Sequence, residues 1–290
     1  MIHCLWVCLM HRLLRFSVWM IFGAAAGAAA QQGLDAKAEK ARAALAEERF
    51  EEAARLYADL VKANPQSLAW RLALAVAEQG CGRHAQAAAD LRLVLQRDPK
   101  FPGAWRLLAE NLDRLGETAK AAEAYEHALK LEPSRMDLQL DAAAAYRKAG
   151  RYREAADLFL QVARADPGEA RAWHGFALSY LGLARRLYAS LPRESHWRQS
   201  IAKPQETPAG CESESLPCRF ARGEFWQILD AAQNDRSPEA AYWQIRACLA
   251  LARRAFEQLA DLPAVPETRP LFREAEALYS ESDLTLLEKP

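Results

Sequence analysis

Apolar and small residues recur along this chain at steps of three and four, which is the pattern of amphipathic helices. From about position 34 onward, short stretches of this kind are joined by turn residues. Proline follows every second stretch at a constant interval of 34 residues, at Pro65, Pro99, Pro133 and Pro167. Because proline cannot continue a helix, each of them marks the end of a unit. A fixed period of this length predicts an array of helical repeats.

Columns of small and large residues keep the register of the prolines. Alanine recurs at two fixed offsets, and large apolar residues recur at a third offset, after the second alanine. Small residues let two helices approach closely, and large ones fill the gap to the next unit, so that neighbouring units must stack. The repeat-packing residues predicted in this way are Ala53, Ala87, Ala121, Ala155, Tyr57, Leu91, Tyr125, Phe159, Pro65, Pro99, Pro133 and Pro167.

Glycine recurs at the turn between the two helices of a unit. Gly82, Gly116 and Gly150 share one offset, where the chain needs a left-handed residue after a helix. The first unit has Glu48 in this column, and we therefore expect its turn to be less regular.

The residues at these offsets resemble the tetratricopeptide repeat family from position 34 to about 186. The third unit is the best copy, and its matching residues are Trp105, Leu108, Ala109, Gly116, Ala121, Tyr125, Ala128 and Pro133. The resemblance implies an all-α fold, an α-α superhelical solenoid of helix pairs. It covers about four repeats and the first helix of a fifth, after which the pattern departs from the family.

The remainder of the chain divides into two parts. Residues 187–220 form a predicted insertion loop that contains cysteine and proline, and 221–290 form a helical region that diverges from the repeat pattern. Helices are predicted from Arg219, at the end of the loop, to Ala232 and from Pro238 to about Leu262. The second is apolar enough to need burial, so we expect this half to pack on the array as a divergent continuation.

The first thirty residues resemble a secretory signal peptide. Arg12 and Arg15 precede an uncharged stretch that ends in small residues, which predicts cleavage before Gln31. An uncleaved anchor is the alternative. Cleavage would give an exported protein, periplasmic or secreted, with no membrane-spanning segment in the mature chain.

Export changes the interpretation of the cysteines. Cys211 and Cys218 lie seven positions apart in a polar segment, and an oxidising compartment favours a disulfide between them. Free thiols or a metal site are the alternatives, although the spacing is not that of a zinc site. Cys81 and Cys248 are predicted to be buried small apolar residues.

Charge and motifs argue against several classes of function. The chain has 38 basic and 38 acidic residues, which does not favour a nucleic-acid partner. No metalloprotease, hydrolase or phosphate-loop motif is present, and a Cys211–His196 pair would lack a third group to orient the base. We therefore predict neither catalysis nor a cofactor or metal.

The family resemblance implies that the first helix of each unit lines a concave groove for a protein or peptide partner. We call the polar residues at these positions the groove residues; an ordinary solvated surface is their alternative interpretation. The carboxylate clamp of family members that bind chaperone C-termini is absent, because its positions hold residues such as Ala38, Leu72 and Val76. The groove residues are Arg42, Gln79, Arg106, Glu110, Asp113, Asp141, Arg171 and His174.

Three hypotheses of function follow from the sequence. The first is an exported, non-catalytic scaffold that binds another protein through the groove. The second is a structural assembly subunit of a cell-envelope complex, and the third is an accessory enzyme or carrier function in the C-terminal half.

Overall fold

A computed structural model describes residues 32–101, 103–202, 213–263, 265–279 and 283–288. The predicted signal peptide and Cys211 lie outside these ranges. Within them all regular secondary structure is helical, and the predicted all-α fold of the solenoid type is confirmed.

The chain divides into two compact units, Met1–Leu115 and Gly116–Pro290. In the first unit α1 covers residues 32–46, and four helices follow it: α2 Phe50–Ala63, α3 Leu68–Gly80, α4 His84–Arg97 and α5 Ala104–Arg114. The second unit begins with three helices of similar length and the longer α9, namely α6 Thr118–Leu131, α7 Met136–Lys148, α8 Tyr152–Ala165 and α9 Ala170–Ser190. It continues with α10 His196–Ala202, α11 Leu216–Ala221, α12 Phe225–Ala231, α13 Pro238–Ala260, α14 Arg269–Tyr279 and α15 Asp283–Glu288.

The small and large columns form the core of each repeat. The alanines of one column, Ala53, Ala87, Ala121 and Ala155, are completely buried. The residues of the large column are at most 5% exposed; they are Tyr57, Leu91, Tyr125 and Phe159. Burial of both columns explains the period. A larger residue in the alanine column, or a smaller residue in the large column, would change the separation of the helices.

The turns between successive repeats contain the four prolines. The turn between the two helices of a repeat contains a residue in the left-handed conformation. Gly82, Gly116 and Gly150 have φ angles of 74–76°. Glu48 has a φ of 56°, so the first turn has the same backbone conformation as the others. The expectation of a less regular turn is therefore wrong: the geometry of the helix pair imposes this conformation even without glycine.

A long helix pair follows the last regular repeat. Helix α9 packs along α13, although residues 191–237 separate them in the sequence. Trp197, just beyond the end of α9, packs on Tyr242 near the start of α13 with ring centroids 5.1 Å apart. Helix α14, which follows α13, reaches back to His174 near the start of α9. The two helices thus run in opposite directions, and α13 takes the place of the second helix of the fifth repeat.

The segment between α9 and α13 is partly helical. Helices α10, α11 and α12 lie in it, and the helix predicted from Arg219 to Ala232 is divided into α11 and α12. The chain turns at Gly223, whose φ is 75°, and this conformation ends α11. Trp226 on α12 then packs against Phe176 and Tyr180 of α9, with ring centroids 5.9 and 5.5 Å away.

The cysteines of the described ranges are all at least partly buried. Cys248 on α13 is completely buried and Cys81 partly so, and both are free thiols. Burial raises the pKa of each thiol above its ordinary value. Cys218 is buried on α11, with its Sγ 3.0 Å from Ser213 Oγ. Because Cys211 lies outside the described ranges, the disulfide remains a prediction.

None of the described helices combines the length and the apolar character that a membrane span requires.

Candidate functional site: a polar network on α3 and α5

Three of the predicted groove residues in the first unit form one hydrogen-bonded network. Gln79 Nε2 on α3 donates to Glu110 Oε2 on α5 over 3.1 Å. Arg106 Nε, one turn before Glu110, donates to the other carboxylate oxygen over 2.9 Å. Ala75 and Ala109, both buried, lie on the same two helices and leave room for their close approach. The repeat register therefore places these side chains next to one another.

Asn111 belongs to the same network on its buried side, and the sequence did not predict this role. It is completely buried, and its Nδ2 donates to Gln79 Oε1 over 3.0 Å and to the Leu107 carbonyl over 2.8 Å. Its Oδ1 lies 3.0 Å from His84 Nδ1 on α4. The sequence offered one signal for this role, namely that Asn111 precedes the apolar Leu112. A polar amide that is buried beside an apolar residue needs hydrogen-bond partners.

The network holds a carboxylate and a guanidinium group at the surface in defined positions. The side chains of Arg106 and Glu110 are 28% and 27% exposed. Their neighbours restrict the rotamers of both, so binding a ligand would cost less side-chain entropy than it would for unrestrained side chains. Such a pair can accept and donate hydrogen bonds to the backbone or polar side chains of an extended polypeptide.

The other two groove residues of this unit are Arg42 and Asp113. Arg42 on α1 pairs with Glu39 over 2.6 Å, and both side chains are more than 60% exposed. An exposed pair of this kind contributes little to stability. Asp113 is partly exposed on α5.

In the second unit, Asp141 and Arg171 lie near one another. Arg171 pairs with Glu169, the residue that caps the start of α9, over 2.8 Å. The hydrogen bond to Glu169 raises the pKa of Arg171 above its ordinary value, and the charge of Asp141 adds to the effect. The guanidinium group is thus committed to the end of its own helix.

His174 is also a predicted groove residue, but it is buried under α14 and is only 7% exposed. Its Nε2 lies 3.2 Å from Glu274 Oε2. Burial lowers the pKa of His174 below its ordinary value, and the carboxylate of Glu274 opposes part of this shift. The sequence could not indicate this, because α14 lies about a hundred residues further along the chain.

Among the described residues, no group of three or more histidine, cysteine, aspartate or glutamate side chains is arranged to hold a metal ion.

The class of protein defined by these features is an all-helical repeat protein that presents polar side chains from successive first helices. Residues 44–110 and 114–177 match the sequence model of the tetratricopeptide repeat. This match agrees with the resemblance that the columns of the repeat predicted.

Several solved structures are similar to this chain at low sequence identity. The crystal structure of MamA is 22% identical, covers 49% of this chain and 84% of its own, and has a TM-score of 0.47. A tetratricopeptide repeat protein from Parabacteroides merdae is 16% identical, covers 84% of this chain and 99% of its own, and has a TM-score of 0.49. The protein TTC0263 from Thermus thermophilus is 16% identical, covers 73% and 98%, and has a TM-score of 0.41. No curated protein matches the sequence.

Proposed function

We propose that the protein is an exported, non-catalytic scaffold whose tetratricopeptide repeats bind a polypeptide partner through their first helices. The observation that carries this proposal is the network of Gln79, Arg106 and Glu110. Its polar groups are fixed in position by a buried asparagine and are still accessible at the surface. Export rests on the signal-like N-terminal sequence alone.

The mechanism of recognition is hydrogen bonding to a segment that lies across α3 and α5. The Glu110 carboxylate is suited to a backbone N–H or a basic side chain, and the Arg106 guanidinium group to a carbonyl or carboxylate. Because tetratricopeptide repeats are a fold shared by proteins with many partners, the identity of the partner must come from experiment.

The partner can be identified by crosslinking and mass spectrometry of the native envelope fraction, and its affinity then measured with purified proteins. We expect Arg106→Ala and Glu110→Ala each to weaken binding about tenfold, or about 1.4 kcal/mol. Arg92→Ala is the matched control, because Arg92 is exposed on α4, the second helix of its unit. It should bind like the wild type.

Two results would contradict the groove proposal. A partner that remains bound with unchanged affinity in both variants would indicate a stable assembly subunit, held by another surface. Recovery of the protein from the cytoplasm alone, with its first thirty residues intact, would contradict export.

A further inference from the structure

A pocket of about 600 Å³ in the second unit is lined by four basic side chains. Arg147 and Lys148 end α7, and Arg185 and Arg186 lie on the long α9. No acidic side chain is found among the described residues that line the pocket. Four positive charges around one cavity repel each other, so an anion bound among them is stabilised.

Two of these arginines are held in place by neutral groups. Arg185 Nε donates to the Leu286 carbonyl of α15 over 2.7 Å. Arg186 Nη1 donates to the Gly150 carbonyl over 2.8 Å, and its guanidinium carbon lies 5.2 Å from the centre of the Tyr152 ring. A carbonyl fixes a guanidinium group without neutralising its charge, so the pocket keeps the positive potential of both.

Arg147 adds a donor that lacks an acceptor. Its Nε atom is buried and makes no hydrogen bond within the described part of the chain. A buried donor without a partner costs free energy. Two carboxylates of the second unit have partners of their own: Glu274 lies 3.2 Å from His174, and Glu288 accepts from the Tyr188 hydroxyl over 3.3 Å.

The remaining walls of the pocket are apolar or aromatic. The Tyr152 side chain and Leu287 of α15 contribute to them, so a ligand would meet both charged and apolar surface. Aspartate and glutamate side chains within an apolar segment combine these two properties. The chain as a whole carries no excess of positive charge, unlike proteins that bind nucleic acids through a broad basic surface.

We propose that this pocket binds an acidic segment of a polypeptide. The inference rests on the proposed function, since the pocket is built on α7 and α9, the first helices of their repeats. The inference also specifies that the partner segment is negatively charged, which the network on α3 and α5 does not determine.

The test measures fluorescence anisotropy of a labelled peptide that alternates glutamate with leucine and glycine. The wild-type protein should bind this peptide, and should bind a version with glutamine in place of glutamate at least about tenfold more weakly. The double variant Lys148→Ala/Arg186→Ala should lose about tenfold in affinity, and added salt should weaken binding to the wild type. Arg164→Ala is the control, because Arg164 is exposed on α8 and does not line the pocket.

A second variant protects the test against misfolding. Lys148→Glu changes one exposed side chain, and we expect it to weaken binding of the acidic peptide while the circular dichroism spectrum stays unchanged. Equal affinity of the acidic and the glutamine peptides would overturn the inference, as would unchanged affinity in both variants. Tighter, variant-sensitive binding of single-stranded DNA or a heparin oligosaccharide would overturn the assignment to a polypeptide.

Failure of this inference can be told apart from failure of the groove proposal. If the pocket variants still bind the native partner while Arg106→Ala does not, only the acidic-segment inference is overturned. If the affinity for the native partner does not depend on Arg106 and Glu110, but binding of the acidic peptide requires Lys148 and Arg186, only the groove proposal is overturned.

Discussion

Replacing Glu48 by glycine tests whether the repeat geometry imposes a left-handed residue at the turn within each unit. Glu48 has a φ of 56°, in the column where three other units have glycine. A left-handed conformation costs a residue with a side chain roughly 1–2 kcal/mol. Glycine would remove this cost, but its greater freedom in the unfolded chain lowers stability by about 0.5–1 kcal/mol. We therefore expect Glu48→Gly to stabilise the protein by about 1 kcal/mol.

The surroundings of Glu48 make this substitution easy to interpret. Its side chain is exposed, and the ion pairs of this turn are made by Arg49 with Glu47 and Glu52. Removing the Glu48 carboxylate leaves both pairs intact. The change in stability should thus come from the backbone.

Gly116→Ala is the matched control in the opposite direction. A Cβ at Gly116 would meet no atom within 4 Å, so the cost of the substitution is also a backbone cost, again about 1 kcal/mol. Urea denaturation followed by circular dichroism measures both variants, and thermal unfolding should shift by about 2–4 °C in opposite directions. Amide hydrogen exchange of α1 and α2 would localise the effect of Glu48→Gly.

An imposed left-handed conformation at Glu48 is refuted if Glu48→Gly is no more stable than the wild type while Gly116→Ala is destabilised. That result would mean that Glu48 makes a compensating interaction that the geometry of its turn does not show.

Two further predictions concern burial. Ala121 is completely buried, so Ala121→Leu should destabilise the protein by roughly 1–3 kcal/mol through overpacking, whereas Ala119→Leu on the exposed face of the same helix should change stability little; equal stabilities in urea would contradict the role of the alanine column. Burial, together with the charge of Asp90, raises the pKa of Glu78 from 4.5 to about 7, and one of its carboxylate oxygens is buried without a hydrogen-bond partner among the described residues. The folded state therefore holds this proton more tightly than the unfolded state, and the wild type loses stability as pH rises from about 4.5 to about 7. Glu78→Gln should remove that loss and be more stable than the wild type at about pH 8; a stability difference that is the same at acid and alkaline pH would show that Glu78 is not buried in this way.

Much of the repeated region could be predicted from the sequence because its structure is local. The position of Pro65 or Gly116 within a unit follows from rules that act over a few residues, and repetition makes the same rule visible several times. The packing of Ala121 and Tyr125 against neighbouring helices follows in the same way, since each unit contacts the next one along the chain. Gln79, Arg106 and Glu110 could be assigned to one surface for this reason.

The tertiary structure decided what depends on contacts between distant parts of the chain. Nothing near α9 in the sequence indicates that α13 pairs with it, that α14 covers His174, or that α15 closes the basic pocket. Asn111 belongs to the network only because three helices meet around it. Periodicity specifies which face of a helix is buried, whereas the partner of that face is selected by packing and burial over the whole unit. The repeat and its register thus follow from the local sequence, whereas packing in the folded protein determines which polar groups are fixed, which are covered and which surround a charged pocket.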